Sequence, residues 1–258
     1  MSEKKKPDQE MVYGVHPLQQ ALELGKRKCY KIVLEKGDPP ARLAPILKLA
    51  ESLGTRVETL PPEAFRKKHG KLTHQGIVGY FSPLQTLGLE TLIEQAFQSG
   101  PHPALVLADE IQDPQNLGAL VRSAWVLGLQ GLVLPKHRSA PLNETVAKCS
   151  AGAIESLPIA CVSNLNLGAE TLKEKGFWIV GIDMEGDRPC YEFDFNTPVA
   201  LIIGGEGKGV RPILKKNCDF TVSIPMAGEL DSLNASTAAA IVFYEIQRQR
   251  AAGSNSKP

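Results

Sequence analysis

The run Val199-Ala200-Leu201-Ile202-Ile203 is apolar at every position and stops at Gly204-Gly205-Glu206-Gly207-Lys208-Gly209. Unbroken apolar runs mark strands buried on both faces, as in a parallel sheet covered by helices; alternation marks strands with one wet face. Further strand signals occupy 104–107, 131–134, 159–162, 178–182 and 220–224. Helical spacing fills the intervals at 117–127, 143–156, 167–175, 211–216 and 236–250. The pattern predicts an α/β domain over 104–250 with a mostly parallel six-stranded sheet. Ligands of such sheets sit beyond the strand ends, which makes the glycine-rich stop at 204–209 a candidate site.

Residues 11–84 read as a separate unit. Helical spacing at 16–24 and 42–53, the latter closed by Gly54, alternates with strand signals at 30–35, 57–60 and 76–81, and Pro61-Pro62-Glu63 opens a further helix. The αβαβαβ order predicts a compact three-layer α/β module. Pro83, Gly88, Gly100, Pro101 and Pro103, around one short helix at 89–97, make 85–103 a linker by composition. Charge divides at the same place. Residues 1–84 carry 15 Lys and Arg against 9 Asp and Glu, whereas 85–258 carry 14 against 19. The basic clusters Lys26-Arg27-Lys28 and Arg66-Lys67-Lys68-His69-Gly70-Lys71 fall in that one small module, as expected of a polyanion-binding surface.

Several classes are excluded or disfavoured. Five scattered cysteines form no CxxC pair, and His69 and His74 have no cysteine or acid beside them to complete a metal set, so no metal is expected. The charged N-terminus, Met1-Ser2-Glu3-Lys4-Lys5-Lys6, leads into no apolar segment and does not read as a secretory signal. No apolar run approaches the ~18 residues that span a bilayer. Free thiols without a signal point to the cytoplasm. Residues 1–10 and 251–258 read as tails.

Three constellations carry the chemistry. In Asp113-Pro114-Gln115-Asn116-Leu117-Gly118-Ala119-Leu120-Val121-Arg122, Asn116 is placed to cap the following helix, and Arg122 is a cation on an otherwise apolar helix. It either serves a site or pairs with an acid for structural reasons. The glycine-rich turn fits no phosphate fingerprint: Gly207-Lys208 is followed by Gly209 where a P-loop needs Ser or Thr, and Val210 stands where a dinucleotide motif needs glycine. Glu206 within it repels phosphate, so the turn should hold a ligand without a triphosphate. The third constellation is Ile224-Pro225-Met226, then Ser232-Leu233-Asn234-Ala235-Ser236, where Ser232 or Asn234 caps the last helix or supplies hydrogen bonds to a ligand. No histidine lies near any of the three, which excludes a Ser-His-Asp set.

Together and in this order, the three constellations resemble the motifs of SpoU/TrmH-type 2′-O-ribose methyltransferases of the SPOUT superfamily. Residues 11–84, from Tyr13-Gly14-x-His16 to His74-Gln75-Gly76-Ile77, are similar to the L30e-like RNA substrate-binding domain of the 23S rRNA guanosine-2′-O-methyltransferase subgroup. The resemblance implies methyl transfer from S-adenosylmethionine to a ribose 2′-hydroxyl of RNA, most specifically a guanosine of 23S rRNA, by a homodimer whose C-terminal segment is threaded into a deep trefoil knot. It assigns Gly204, Ile224 and Leu233 to the cofactor, and Asn116, Arg122, Glu206, Ser232 and Asn234 to catalysis. Arg122 would act on the 2′-hydroxyl; because a guanidinium stays protonated, its expected part is to stabilise the developing alkoxide. Glu206 would orient its fork. The competing readings are a tRNA ribose methyltransferase, a non-catalytic RNA-binding protein on the same scaffold, and a nucleotide-dependent dehydrogenase, the last opposed by the missing glycine fingerprint.

Overall fold

Each strand signal becomes a strand in the computed structural model, which describes residues 8–70, 72–205, 209–228 and 232–254. The chain begins with β1 (Glu10–Tyr13), α1 (Val15–Leu24), β2 (Cys29–Glu35), α2 (Ala44–Ser52), β3 (Val57–Leu60), α3 (Pro62–His69) and β4 (Ile77–Phe81). It continues through α4 (Leu89–Gln98), β5 (Ala104–Asp109), α5 (Pro114–Val126), β6 (Gly131–Pro135), α6 (Glu144–Cys149), β7 (Ile159–Val162), α7 (Leu165–Glu174) and β8 (Trp178–Ile182). It ends with β9 (Arg188–Pro189), β10 (Val199–Gly204), α8 (Pro212–Lys215), β11 (Phe220–Ser223) and α9 (Ala235–Ser254). The terminal elements therefore enter both segments that composition marks as tails.

The chain divides into two compact units. Residues up to Gln85 join Leu142–Ser156 in the first, and Thr86–Pro141 joins the chain from Leu157 onward in the second. The first unit has a mixed sheet in the order β1-β4-β2-β3. Strand β1, which sequence reading missed because four residues give little periodicity, pairs antiparallel with β4. One sheet face packs Leu18, Ile32, Ile46, Ile77 and Phe81 with α1 and α2; the other holds Val33, Phe65 and Val78 beneath α3. The stretch 143–156 is one helix by sequence, but α6 stops at Cys149, because Ala151 and Gly152 take left-handed backbone angles of 52° and 89°. Glu155 and Arg27, both buried, pair at 2.8 Å, and Arg27 also reaches Glu10 at 2.6 Å. Burial alone would push the Glu155 carboxyl upward, and the Arg27 cation partly offsets this.

The second unit carries a sheet in the order β7-β6-β5-β10-β8-β11-β9, every pairing parallel. It has seven strands where the sequence pattern predicts six. The extra one, β9, is a two-residue edge strand containing Pro189, too short to produce a pattern and placed where a missing N–H is tolerated. Strands β5 and β10 lie at the centre, with Asp109 opposite Gly204 at their C-terminal ends. Leu105, Leu107, Ala200 and Ile202 face a core shared with residues of α4 and α7 and with Leu214 of α8. Helices α5 and α9 pack on each other, burying Leu120, Val121, Ala124, Val242, Phe243 and Ile246. Within this unit Leu87 bridges Ala160 at the start of the segment leading to α4.

Candidate functional site

Helix α5 starts earlier than sequence spacing predicts. Asp113 is its N-cap, accepting from the backbone N–H groups of Gln115 (3.1 Å) and Asn116 (3.3 Å), with Pro114 at the first helical position. Asn116 therefore sits inside the first turn and is not the cap. Its side chain works elsewhere: Oδ1 accepts from Nδ2 of Asn234 at 3.0 Å, joining positions 118 residues apart. Asn234 Oδ1 in turn accepts from the N–H of Ser236 (2.9 Å), its hydroxyl (2.6 Å) and the N–H of Thr237 (3.4 Å), which caps α9. Of the two capping candidates, Ser232 and Asn234, it is Asn234 that caps. The first and third constellations thus meet at adjoining helix N-termini.

The glycine-rich turn leaves β10 beside them. Gly205 and Gly209 form an antiparallel bridge that closes the turn. Gly204 lies against the returning backbone, and a Cβ there would overlap the carbonyl carbon of Gly209. A Cβ at Gly205 would lie 2.6 Å from the carbonyl oxygen of Glu110. Only glycine allows this packing of three backbone segments at the end of the sheet. Asp109, fully buried at its side chain, accepts from Arg211 through Nε (2.8 Å), Nη2 (2.6 Å) and the backbone N–H (3.2 Å). Those hydrogen bonds hold the Arg211 guanidinium above its ordinary pKa. Arg211 Nη1 also lies 3.4 Å from Glu110 Oε1, which receives Arg138 Nη1 at 3.2 Å.

Two cavities flank this turn. The larger, about 750 Å³, is walled by Ile203, Val210, Ile224, Met226, Leu233 and Ala238, with Gly204, Gly205 and Gly209 at one side and Asp183, Glu185, Lys215 and Lys216 at its polar margin. Lys215 pairs with Asp183 at 3.0 Å, and that hydrogen bond raises the Lys215 pKa. The smaller, about 540 Å³, is lined by residues 109–114, Asn116, Gly205, Gly209 and Arg211. Gly205 and Gly209 border both.

Gly204, Ile224 and Leu233, the expected cofactor residues, all line the larger cavity, as does Ser232. Asn116 lines the smaller, hydrogen-bonded to Asn234. Arg122 is exposed on α5 and borders neither cavity; among the described residues no hydrogen bond or ion pair reaches it. Glu206 lies outside the described residues, so its pairing with Arg122 does too. Sequence reading missed Asp109 and Arg211. The available signals were a lone acid ending the apolar strand 104–109 and an arginine directly after the glycine-rich turn. Among the described residues no group of His, Cys, Asp and Glu is placed to hold a metal ion, and no helix is long and apolar enough to cross a membrane.

A parallel sheet whose central strand ends bound an apolar cavity, beside neutral amides on converging helix ends, defines an α/β protein with a small-molecule site at its strand ends. Comparison with known proteins narrows this class. The chain belongs to the SpoU rRNA Methylase family, whose model matches residues 103–244, and residues 11–87 match the model for RNA 2′-O ribose methyltransferase substrate binding. It is 38% identical over 227 residues to the putative TrmH family tRNA/rRNA methyltransferase YacO of Bacillus subtilis, covering 87% of this chain and 90% of that one. It is 37% identical over 244 residues to the 23S rRNA (guanosine-2′-O-)-methyltransferase RlmB of Escherichia coli K12, covering 93% and 99%. The crystal structure of the SpoU methyltransferase AviRb from Streptomyces viridochromogenes, in complex with AdoMet, superposes with a TM-score of 0.80 at 27% identity, covering 95% and 92%. The protein is an RNA 2′-O-ribose methyltransferase that uses S-adenosylmethionine.

The larger cavity suits that cofactor. Its apolar walls match a purine and a short carbon chain, and paired acidic and basic side chains at its margin match an amino-acid zwitterion. Its volume lies within the range of small-molecule sites.

Proposed function

We propose that this enzyme methylates the ribose 2′-hydroxyl of a guanosine in 23S rRNA, with residues 11–84 acting as an L30e-like RNA-binding module and residues 104–250 as the methyltransferase domain. The observation that carries the site is the Asn116–Asn234 hydrogen bond, which draws the first and third constellations to one corner beside the cofactor-shaped cavity. The name of RlmB, matched over nearly its whole length, supports the substrate. We place the activity in the cytoplasm, where ribosomal RNA would be met.

S-adenosylmethionine supplies an electrophilic methyl group on a sulfonium. Gly204, Ile224 and Leu233 would hold it, chiefly through backbone groups at the strand ends. The protein's own task is then to hold the nucleoside still and favour the 2′-alkoxide. Asn116, which lines the smaller cavity, and Asn234, hydrogen-bonded to it, are neutral donors and acceptors suited to fixing a ribose there, with Ser232 acting from the larger cavity. Arg122 keeps its proton and acts as a cation: the 2′-hydroxyl proton would pass to solvent water, and the negative charge growing on the 2′-oxygen is stabilised by the guanidinium. Glu206 would orient that guanidinium.

Arg122 stands apart from both cavities of its own chain, and a homodimer accounts for this. Helices α5 and α9 leave Trp125, Val126, Ile241 and Tyr244 exposed, an apolar surface fit for a second copy whose cavity Arg122 would then complete. The C-terminal segment is proposed, from the family resemblance, to be threaded as a trefoil knot. Mapping of ribose methylation after incubation with 23S rRNA or tRNA and S-adenosylmethionine tests the function. Modification confined to tRNA would replace the proposed substrate, and absence of turnover on either would replace catalysis with RNA binding.

A further inference from the structure

Asp109 and Arg211 line the smaller cavity beside Gly205 and Gly209, which border both cavities. Asp109 ends β5 opposite Gly204 of β10, and its side chain is wholly buried. Arg211 brings it three donors, one of them its own backbone N–H, so the pair fixes main chain as well as side chain. The fixed backbone lies two residues after Gly209, which bridges Gly205 to close the turn. The neighbouring Glu110 takes a left-handed φ of 56°, unusual for a side-chain-bearing residue, with its carbonyl against Gly205. Its carboxylate lies 3.4 Å from the same guanidinium. A buried ion pair is weak ground for stability alone, since apolar replacements often do as well. What a guanidinium fork adds is direction: planar donors at set angles hold the acid in one geometry.

The geometry points to Asp109 and Arg211 as a positioning pair that seats the bridged glycines Gly205 and Gly209 between the two cavities, so that cofactor binding and nucleotide placement both depend on it. This rests on reading the larger cavity as the cofactor site and the smaller as the nucleoside site. Neither residue is assigned contact with a reacting atom; each acts through the turn. The dependence follows from connectivity. Releasing residue 211 frees 209, and with it the wall common to both cavities.

The test compares Asp109→Asn, Arg211→Gln and the double variant for Tm, S-adenosylmethionine affinity by calorimetry, and kcat and KM on RNA. Removing one partner leaves an uncompensated buried charge, so Arg211→Gln should melt earlier, and the neutral double variant should regain much of that loss. Binding and catalysis should not recover with it: all three variants should bind S-adenosylmethionine about tenfold more weakly and turn over about 100-fold more slowly, the scale of a 1 Å misplacement. A double variant that regains kcat along with Tm, or single variants that bind within threefold of wild type, would overturn the assignment and leave a merely structural pair. Should Arg211→Gln fail to fold, Arg211→Lys, which keeps the charge but not the fork, is held to the same binding and kcat criteria. Wild-type protein that binds no S-adenosylmethionine would instead refute the reading of the cavities, whatever the variants do.

Discussion

Asn234 does two jobs that one pair of substitutions separates. Its Oδ1 caps α9, and its Nδ2 donates to Asn116 at 3.0 Å. Asn234→Ala removes both. Loss of a cap costs about 1 kcal/mol, and a solvent-accessible hydrogen bond about 0.5 kcal/mol more. At about 2–4 °C per kcal/mol for a chain of this size, the Tm should fall by roughly 3–6 °C. Asn234→Asp keeps an acceptor over the helix N-terminus and adds a charge that the dipole favours, so its Tm should stay within about 2 °C of wild type. It cannot donate to Asn116. If the Asn116–Asn234 contact places the nucleoside, kcat should fall by about 100-fold in both variants, despite their different stabilities. Differential scanning fluorimetry and single-turnover methylation measure the two quantities side by side. An Asn234→Asp enzyme with kcat within threefold of wild type would refute the placement argument. Equal melting losses in both variants would refute the capping argument.

Arg122 is exposed and meets no partner among the described residues, so Arg122→Lys should leave Tm within about 1–2 °C while lowering kcat by about 100-fold, measured on the same RNA; retained turnover would exclude its role at the alkoxide. Gly204→Ala forces a methyl group into the backbone of Gly209, and calorimetry should show S-adenosylmethionine binding reduced at least tenfold or lost, with unchanged affinity counting against close packing there. Burial pushes the Cys218 thiol up to about 11, as it does that of Cys29. At pH 8 almost all of each is then thiol, and because the thiolate is the nucleophile, iodoacetamide should label both far more slowly in the folded protein than in urea, accelerating as pH rises toward 11.

The sheet was legible because most of its strands are apolar runs: the predicted strand at 178–182 matches β8, and that at 199–203 falls one residue short of β10. Strands β1 and β9 were not, since four and two residues carry too little periodicity to register. Helix α5 began three residues before its predicted start because Asp113-Pro114 was read as a turn, although an acid before proline is also a cap followed by a first helical residue. Gly204, Ile224, Ser232 and Leu233 were found through motif resemblance, and one cavity gathers them. Asp109 and Arg211 escaped because each belongs to a different segment and their partnership exists only once β5 and β10 lie side by side. Arg122 came from the motif as well, and the fold leaves it exposed on α5, outside both cavities.

The central claim is that this chain methylates a ribose 2′-hydroxyl of 23S rRNA. Purified protein, S-adenosylmethionine and unmodified 23S rRNA, followed by nuclease digestion and mass spectrometry, address it directly. An increase of about 14 Da on the ribose of one guanosine is expected, forming about 100-fold more slowly with the Arg122→Lys variant under single-turnover conditions. Methylation on a base, on tRNA alone, or on no RNA at all would contradict it.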